Sequence, residues 1–278
     1  MLKLDKVSKD FGNFKLNNIS FELEEGFIMG LIGHNGSGKT TLIKLIMNLL
    51  NCDLGEIYFK GENIKNNPKK FKESIGFIYD DLYFYEHLKV EDFKKMVSPF
   101  YTKFDSNKFD NYLRRFDISK NAKIGKLSKG QKIKLMLAKS LSHDAKLLIL
   151  DEPTSGLDPI FRKEMINLLQ EELESGDKSA IFSTHITQDL EQAADFITLI
   201  NNGKLVFSES KEYIDENYKI VKGTKEELEN IDLIGKIDKP YHSEGLFSKS
   251  ECDIEINNVD KASLEDIIYY YGEGKNNA

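Results

Sequence analysis

Hydrophobic residues near the start of the chain occur at nearly alternate positions. One set lies within residues 2–7, and a second set within 16–23 follows the turn at Gly12-Asn13. Alternate hydrophobic positions share one face of an extended chain. The pattern therefore predicts two antiparallel strands with one buried face.

Farther along, short apolar runs alternate with segments of helical periodicity. The runs at 27–32, 146–150 and 178–184 are continuous enough to form strands buried on both faces. Apolar helical patterns at 40–50 and 161–175 lie between them. Strands that alternate with helices are typical of an α/β fold with a parallel sheet covered on both faces.

Other segments have their own patterns. Residues 56–79 predict further strands, and a lysine-rich stretch at 80–126 has hydrophobic residues at helical spacing. Two apolar runs flank Asn201-Asn202-Gly203, which is typical of a tight hairpin. The last 70 residues follow without a Pro- or Ser-rich linker and contain no motif that we recognise.

The composition is that of a globular protein. Of 278 residues, 40% are hydrophobic and 31% are charged, and this length favours two structural units or one large domain with an extension. The apolar runs are far shorter than the roughly 20 residues of a membrane helix, and the first residues do not resemble a signal peptide. Cys52 and Cys252 have no paired spacing, so we expect neither a disulfide framework nor a zinc site. These features predict a cytosolic protein.

The charge is balanced along the chain. The net charge of −7 comes from 46 acidic and 39 basic residues that are spread rather than grouped. A nucleic-acid partner requires a concentrated basic surface, because phosphate charge must be neutralised. We therefore expect no nucleic-acid partner.

Residues 33–40 read GHNGSGKT and match the pattern of a phosphate-binding loop. Because the loop follows an apolar strand and opens an apolar helix, its N–H groups and the helix dipole can converge on an anion. We expect Lys39 to reach the β- and γ-phosphates of a nucleotide and the Thr40 hydroxyl to bind Mg²⁺. The alternative is an ordinary glycine-rich turn. The candidate nucleotide-binding residues here, for ATP if the family resemblance described below holds, are Gly33, His34, Asn35, Gly36, Ser37, Gly38, Lys39, Thr40 and Thr41.

Two acidic residues follow the predicted strand at 146–150. Asp151 suits direct or indirect Mg²⁺ binding, and Glu152 suits polarisation of an attacking water. Acidic residues commonly end strands, but their position downstream of a phosphate-binding loop favours a catalytic role.

Three further segments accompany these two: LSKGQ at 127–131, SGLD at 155–158 and STH at 183–185. Along the chain, the phosphate-binding loop, LSKGQ, LLILDE, SGLD and the strand-ending His, in this order, strongly resemble the motifs of the ATP-binding subunits of ABC transporters, over about residues 1–210. The resemblance implies a P-loop NTPase core with an antiparallel β-subdomain and an inserted helical subdomain at about 81–140. Residues 211–278 would form a C-terminal extension of unknown role.

The resemblance also implies roles for single residues. Phe11 would stack on adenine, with a place in the hydrophobic core as the alternative. Asp158 would lie at a dimer contact, and His185 would hydrogen-bond the γ-phosphate and position water beside Glu152. The signature that closes over the opposite subunit's nucleotide comprises Ser128, Lys129, Gly130 and Gln131.

Two positions depart from the family pattern. Lys129 replaces a glycine of the signature, which is chemically compatible with a nearby phosphate. Asp80 replaces a glutamine after a strand, and its carboxylate can bind Mg²⁺ but cannot donate a hydrogen bond when ionised. The alternative is that Asp80 faces the groove for a membrane subunit and serves coupling. The neighbouring Tyr83, Phe84 and Tyr85 would lie near the groove for a membrane subunit, or else pack in the core.

The resemblance predicts an ATP-hydrolysing motor subunit of an ABC transporter that exports antibiotic, peptide or lipid-like cargo. Its expected partners are an integral membrane permease and a second ATP-binding subunit, identical or similar. It would be cytoplasmic and peripheral on the inner face of the cell membrane. A soluble ABC ATPase acting without a permease is one alternative. A nucleotide kinase or GTPase is another, and LSKGQ and SGLD argue against it.

Overall fold

The computed structural model describes residues 1–79, 84–229, 231–249 and 259–273. In these residues, strands run at Leu2–Asp10 (β1), Lys15–Leu23 (β2), Ile28–Ile32 (β3), Leu54–Phe59 (β4), Glu62–Asn63 (β5), Ile75–Ile78 (β6), Leu147–Asp151 (β7), Ser179–Ser183 (β8), Phe196–Asn201 (β9), Lys204–Ser210 (β10), Tyr218–Gly223 (β11), Gly235–Asp238 (β12), Ser243–Ser248 (β13) and Val259–Lys261 (β14). The α-helices run at Lys39–Ile46 (α1), Pro68–Glu73 (α2), Val90–Val97 (α3), Ser106–Arg115 (α4), Lys129–Leu141 (α5), Pro159–Leu173 (α6), Thr187–Ala193 (α7), Lys211–Asn217 (α8), Lys225–Glu229 (α9) and Leu264–Glu273 (α10).

Three sheets organise the strands. The central sheet has the order β10-β9-β3-β8-β7-β6 and is parallel except for β10, which pairs antiparallel with β9. An N-terminal antiparallel sheet has the order β2-β1-β4-β5. A C-terminal antiparallel sheet has the order β12-β13-β11-β14. The α/β fold class and the P-loop core with an antiparallel sheet are confirmed.

One element differs from the sequence prediction. The interpretation of residues 56–79 as strands is wrong for α2, which lies between β5 and β6. The Asn67 side chain accepts a hydrogen bond from the N–H of Lys70 at 3.1 Å, and Pro68 occupies the first turn of the helix. Both features favour a helix start, so local capping chemistry explains α2.

The central sheet is covered on both faces. Its strands β3, β7 and β8 are buried along their whole length. On one face Ile149 packs in a hydrophobic cluster with α1 and the N-terminal sheet, and on the other Phe182 packs in a cluster with α5 and α6. Ile220 and Ile267, from the segment after residue 210, belong to the same cluster as Phe182. The C-terminal elements therefore extend the core of the preceding part of the chain.

The parallel register determines where the loops meet. Asp151 at the end of β7 lies opposite Ser183 at the end of β8, and β8 pairs in parallel with β3. Because the carboxyl ends of parallel strands meet at one edge of a sheet, the loops that follow these three strands converge there. The predicted phosphate-binding loop, Glu152 and His185 follow these three strands, and Asp151 ends one of them.

Candidate active site

A glycine-rich loop, residues 33–38, connects β3 to α1. Gly33 has a φ of +149°, and a Cβ there would lie 2.1 Å from the carbonyl oxygen of Ile200, so only glycine fits. The carbonyl of Ser37 accepts a hydrogen bond from the N–H of Gly203 at 2.9 Å. The loop therefore packs closely against the end of β9 and the hairpin turn that follows it.

Lys39 is a cation held inside this loop. It begins α1 and is only 8% exposed. Its ammonium group donates hydrogen bonds to the carbonyl oxygens of Gly33 at 2.7 Å and His34 at 3.2 Å. Burial lowers the pKa of Lys39, whereas the nearby carboxylates of Glu152 and Asp151 raise it. The positive charge thus lies beside two acidic groups, at the position where a phosphate-binding loop needs it.

Asp151 ends β7 and is 4% exposed. Burial raises the pKa of its carboxyl group, the neighbouring Glu152 carboxylate adds to this effect, and Lys39 opposes it. The Thr40 hydroxyl interacts with the same carboxyl group. Hydroxyl and carboxylate oxygens are the ligands that Mg²⁺ prefers. Asp151 and Thr40 therefore fit the metal-binding role predicted for them.

Glu152 and His185 are in direct contact. The Oε2 atom of Glu152 lies 2.6 Å from Nδ1 of His185 and accepts a hydrogen bond from the His185 N–H at 3.2 Å. The Glu152 N–H in turn donates to the carbonyl of Ser183 at 2.9 Å. Glu152 has a φ of +51°, an uncommon conformation for a residue other than glycine. Such a conformation persists where the surrounding structure holds it, as the contacts of Glu152 with Ser183 and His185 do here.

The loop and the two acidic residues enclose a cavity of about 480 Å³. Its lining residues are Phe14, Asn35, Gly36, Gly38, Lys39, Thr40, Thr41, Asp151 and Glu152. Phe14 was not predicted. A Cβ at Gly38 would lie 2.9 Å from the Phe14 ring, so this glycine leaves room for the aromatic side chain. Phe11 does not line the cavity: it is 46% exposed, and the Lys9 ammonium lies 5.7 Å from its ring centroid.

The signature, residues 127–131, lies at the start of α5 and does not line this cavity. Ser128 is the N-cap, and its side chain and that of Gln131 exchange hydrogen bonds with each other's backbone N–H groups. A Cβ on Gly130 would lie 3.6 Å from Leu157, and the Asp158 side chain accepts a hydrogen bond from the N–H of Phe161 at 2.9 Å. The signature therefore packs beside the 155–158 loop, and Asp158 caps α6.

Two predicted residues, Asp80 and Tyr83, lie outside the described residues. The sequence left two interpretations of this segment open: exposure near a groove for a membrane subunit, or packing in the core. The neighbouring Phe84 and Tyr85 each fit a different one. Phe84 packs edge-to-face on the ring of Phe93, with centroids 5.5 Å apart, whereas Tyr85 is 63% exposed. Among the described residues, no helix combines the length and the apolar character that a membrane span requires.

Comparison with known families and proteins identifies the relatives of this chain. The family model described as "ABC transporter" matches residues 16–155. The ABC transporter ATP-binding protein YtrB of Bacillus subtilis is 32% identical over 219 residues, which are 78% of this chain and 75% of that protein. The bacitracin transport ATP-binding protein BcrA of Bacillus licheniformis is 33% identical, over 74% of this chain and 68% of its own length. The lantibiotic transport ATP-binding protein SrtF of Streptococcus pyogenes is 34% identical, over 77% and 91% respectively.

Solved structures agree with the fold. One, described as the ATP-binding subunit of an ABC transporter, superposes with a TM-score of 0.71 at 25% identity and covers 77% of this chain and 91% of its own. A second, cbiO1 of Clostridium perfringens, has a TM-score of 0.65 at 27% identity and covers 77% and 90%.

Substitutions of two loop glycines should separate crowding from backbone strain. Gly33→Ala places a methyl group against the Ile200 carbonyl, and we expect it to lower the free energy of unfolding by about 3 kcal/mol. Gly36→Ala is the matched control, because Gly36 also has positive φ (+79°) but has no atom within 4 Å of its Cβ position. Its expected cost is about 1 kcal/mol. Urea titration of both variants gives the comparison, and equal losses would contradict the close packing of Gly33 against β9.

Proposed function

This chain belongs to the ABC transporter family, and we propose that it is the motor subunit that couples ATP hydrolysis to a separate membrane permease. As an ATP-binding protein of that family, it is an ATPase. The observation that carries the proposal is the Glu152–His185 pair, joined at 2.6 Å beside a cavity whose wall is the phosphate-binding loop. An acid held by a histidine next to a phosphate site suits hydrolysis better than simple nucleotide binding.

ATP would bind along the loop at 33–41. The backbone N–H groups at the start of α1 and the Lys39 ammonium would hold the β- and γ-phosphates. Thr40 and Asp151 would hold Mg²⁺, which supplies positive charge beside the phosphate oxygens. We also propose Asp80 as a further Mg²⁺ ligand. Phe11, an exposed aromatic side chain directly after β1, is our candidate for stacking on adenine.

Glu152 would act on the attacking water. Its carboxylate can accept a hydrogen bond from a water and orient it towards the γ-phosphate. His185 would keep this carboxylate in one orientation, because its N–H and its ring both contact Oε2. In the family role, the same histidine also reaches the γ-phosphate.

A second copy, or a similar subunit, would complete the site. The cavity of one chain is lined by the loop and the two acids but not by its own signature. The signature opens α5, a helix of 13 residues whose N-terminal N–H groups favour an anion. Two subunits related by a two-fold axis would each place a signature over the other's nucleotide. Asp158, beside that signature, would then lie at the contact between them.

The permease and its cargo are proposed from the relatives. Relatives named for bacitracin and lantibiotic transport support export of an antibiotic, peptide or lipid-like molecule. A subunit of this kind would be peripheral on the inner face of the cell membrane, with selectivity for cargo in the permease. The alternative is a soluble ABC ATPase that acts without a permease.

Lys39→Ala should weaken MgATP binding by about 10- to 100-fold, because a charge-assisted contact to the phosphates is lost. Lys44→Ala, in the last turn of the same helix, is the control and should bind normally. Isothermal titration calorimetry of both variants gives the affinities. Unchanged binding by Lys39→Ala would rule out the phosphate site.

Glu152→Gln should bind ATP but hydrolyse it about 10²- to 10⁴-fold more slowly, because the amide preserves the shape but removes the carboxylate. Size-exclusion chromatography with MgATP should then show a stable dimer, which the unmodified protein forms only transiently. Glu174→Gln, an exposed position after α6, is the matched control and should keep normal turnover. Near-normal hydrolysis by Glu152→Gln would move the base elsewhere, with His185 as the first alternative.

The tagged chain, purified from detergent-solubilised native membranes, should carry an integral membrane protein in a fixed ratio. Tyr85→Ala should reduce this capture, because the ring is 63% exposed in the segment proposed to face the permease. Leu54→Ala removes a similarly exposed (68%) apolar side chain from the N-terminal sheet and should not reduce it. A chain that retains ATPase activity but captures no membrane protein would favour the soluble alternative.

A further inference from the structure

The last described helix, α10, is in direct contact with the phosphate-binding loop. The Nε2–H of His34 donates a hydrogen bond to the carbonyl oxygen of Ile268 at 2.7 Å. Three residues later, the Tyr271 carbonyl accepts a hydrogen bond from the Asn201 side chain, also at 2.7 Å. The helix thus contacts both the loop and the end of β9, although these contacts join residues 234 and 70 positions apart in the chain.

Gly272 makes this contact possible. A Cβ on Gly272 would lie 1.8 Å from Nε2 of His34 and 2.6 Å from two of its ring carbons. Its φ lies outside the region reserved for glycine, so a small residue is required for space and not for backbone conformation. The His34 ring therefore lies directly against the backbone of α10.

The helix is anchored in the core and is not a loose tail. Leu264, Ile267 and Tyr270 are at most 4% exposed and belong to the large hydrophobic cluster of the central sheet. Ser263 and Asp266 exchange hydrogen bonds at its start, in the manner of a capping box. Contact with His34 is therefore a built feature of this fold.

The position of α10 leaves the nucleotide cavity open. None of its described residues lines the cavity of about 480 Å³ that contains Lys39. Instead, Glu265, Ile268 and Tyr269 line a second cavity of about 490 Å³, together with His34 and His185. The helix thus covers the side of the site on which these two histidines lie and does not line the cavity that contains Lys39.

In the dimer proposed above, that side is the one the second subunit would approach. The signature packs beside the 155–158 loop, so in the dimer both segments would face the opposite subunit's nucleotide. The second cavity is also lined by Arg162, in the first turn of the helix that follows this loop. We propose that α10 is an autoinhibitory strap, which must leave His34 before two subunits can close over ATP. This proposal rests on the proposed function, because it concerns closure of the same dimer.

Two substitutions in the full chain release the strap at different points. Gly272→Ala pushes the helix from His34, and because alanine is a better helix former than glycine, it does so without weakening α10 itself. Asn201→Ala removes the hydrogen bond to the Tyr271 carbonyl. It is needed because, in Gly272→Ala, the His34 ring could rotate away and leave the helix in place. Glu212→Ala, an exposed position on α8 that does not line the second cavity, is the control.

Three measurements define the result. Hydrogen exchange at residues 264–273 reports on release, calorimetry with ADP reports on nucleotide affinity, and MgATP turnover reports on closure. In the Glu152→Gln background, size-exclusion chromatography gives the protein concentration for half dimerisation. Each release variant should speed exchange, raise turnover and lower that concentration by about tenfold, as expected for the loss of one good contact, and leave ADP affinity within about twofold.

Faster exchange with unchanged or reduced turnover and dimerisation would overturn the strap and leave α10 a purely structural helix. Unchanged exchange in both variants would also overturn it, because the contacts with His34 and Asn201 would not hold the helix. If the protein without substitutions does not hydrolyse ATP, and the Glu152→Gln variant alone does not dimerise with MgATP, the proposed function itself fails. The strap then fails with it. Measurements on these two proteins without a release substitution therefore distinguish failure of the strap alone from failure of the proposed function.

Discussion

Close backbone packing between the phosphate-binding loop and the end of β9 is the constraint on which the rest of the site depends. Gly33 lies against the Ile200 carbonyl with no room for a Cβ, and Gly203 donates to the carbonyl of Ser37. The loop is therefore positioned by the central sheet itself. Its N–H groups and the Lys39 ammonium are oriented before any ligand binds, which reduces the ordering cost of binding.

Opposite charges are concentrated at this edge of the sheet. Lys39 and Asp151 are both buried. Burial lowers the pKa of Lys39 and raises the pKa of Asp151, so it favours the neutral form of each side chain. Each group partly offsets the other's cost of burial, because a nearby opposite charge favours ionisation. Glu152 is held one residue beyond, where parallel pairing of β7 with β8 brings it to His185. Sheet register thus determines which side chains can cooperate.

The C-terminal elements couple this site to the rest of the fold. Their buried residues share a cluster with the helices that cover the central sheet, and α10 reaches the loop through Ile268 and His34. A contact of this kind can shift the equilibrium between two arrangements of the site only if the contact is present in one arrangement and absent from the other. In the proposed mechanism, closure of a dimer on the His34 side would be such a difference.

Local chemistry could be predicted from the sequence alone, and contacts between distant segments could not. The phosphate-binding loop, the acids after β7 and the hairpin at residue 203 follow from short patterns, because a turn or a strand end is determined by a few neighbouring residues. The order of the five segments then indicated the family. Only the tertiary structure placed Phe14 on the cavity and the carbonyl of Ile268 on His34, which is 234 positions away in the chain. Such contacts depend on how whole elements pack, and no local pattern encodes that packing.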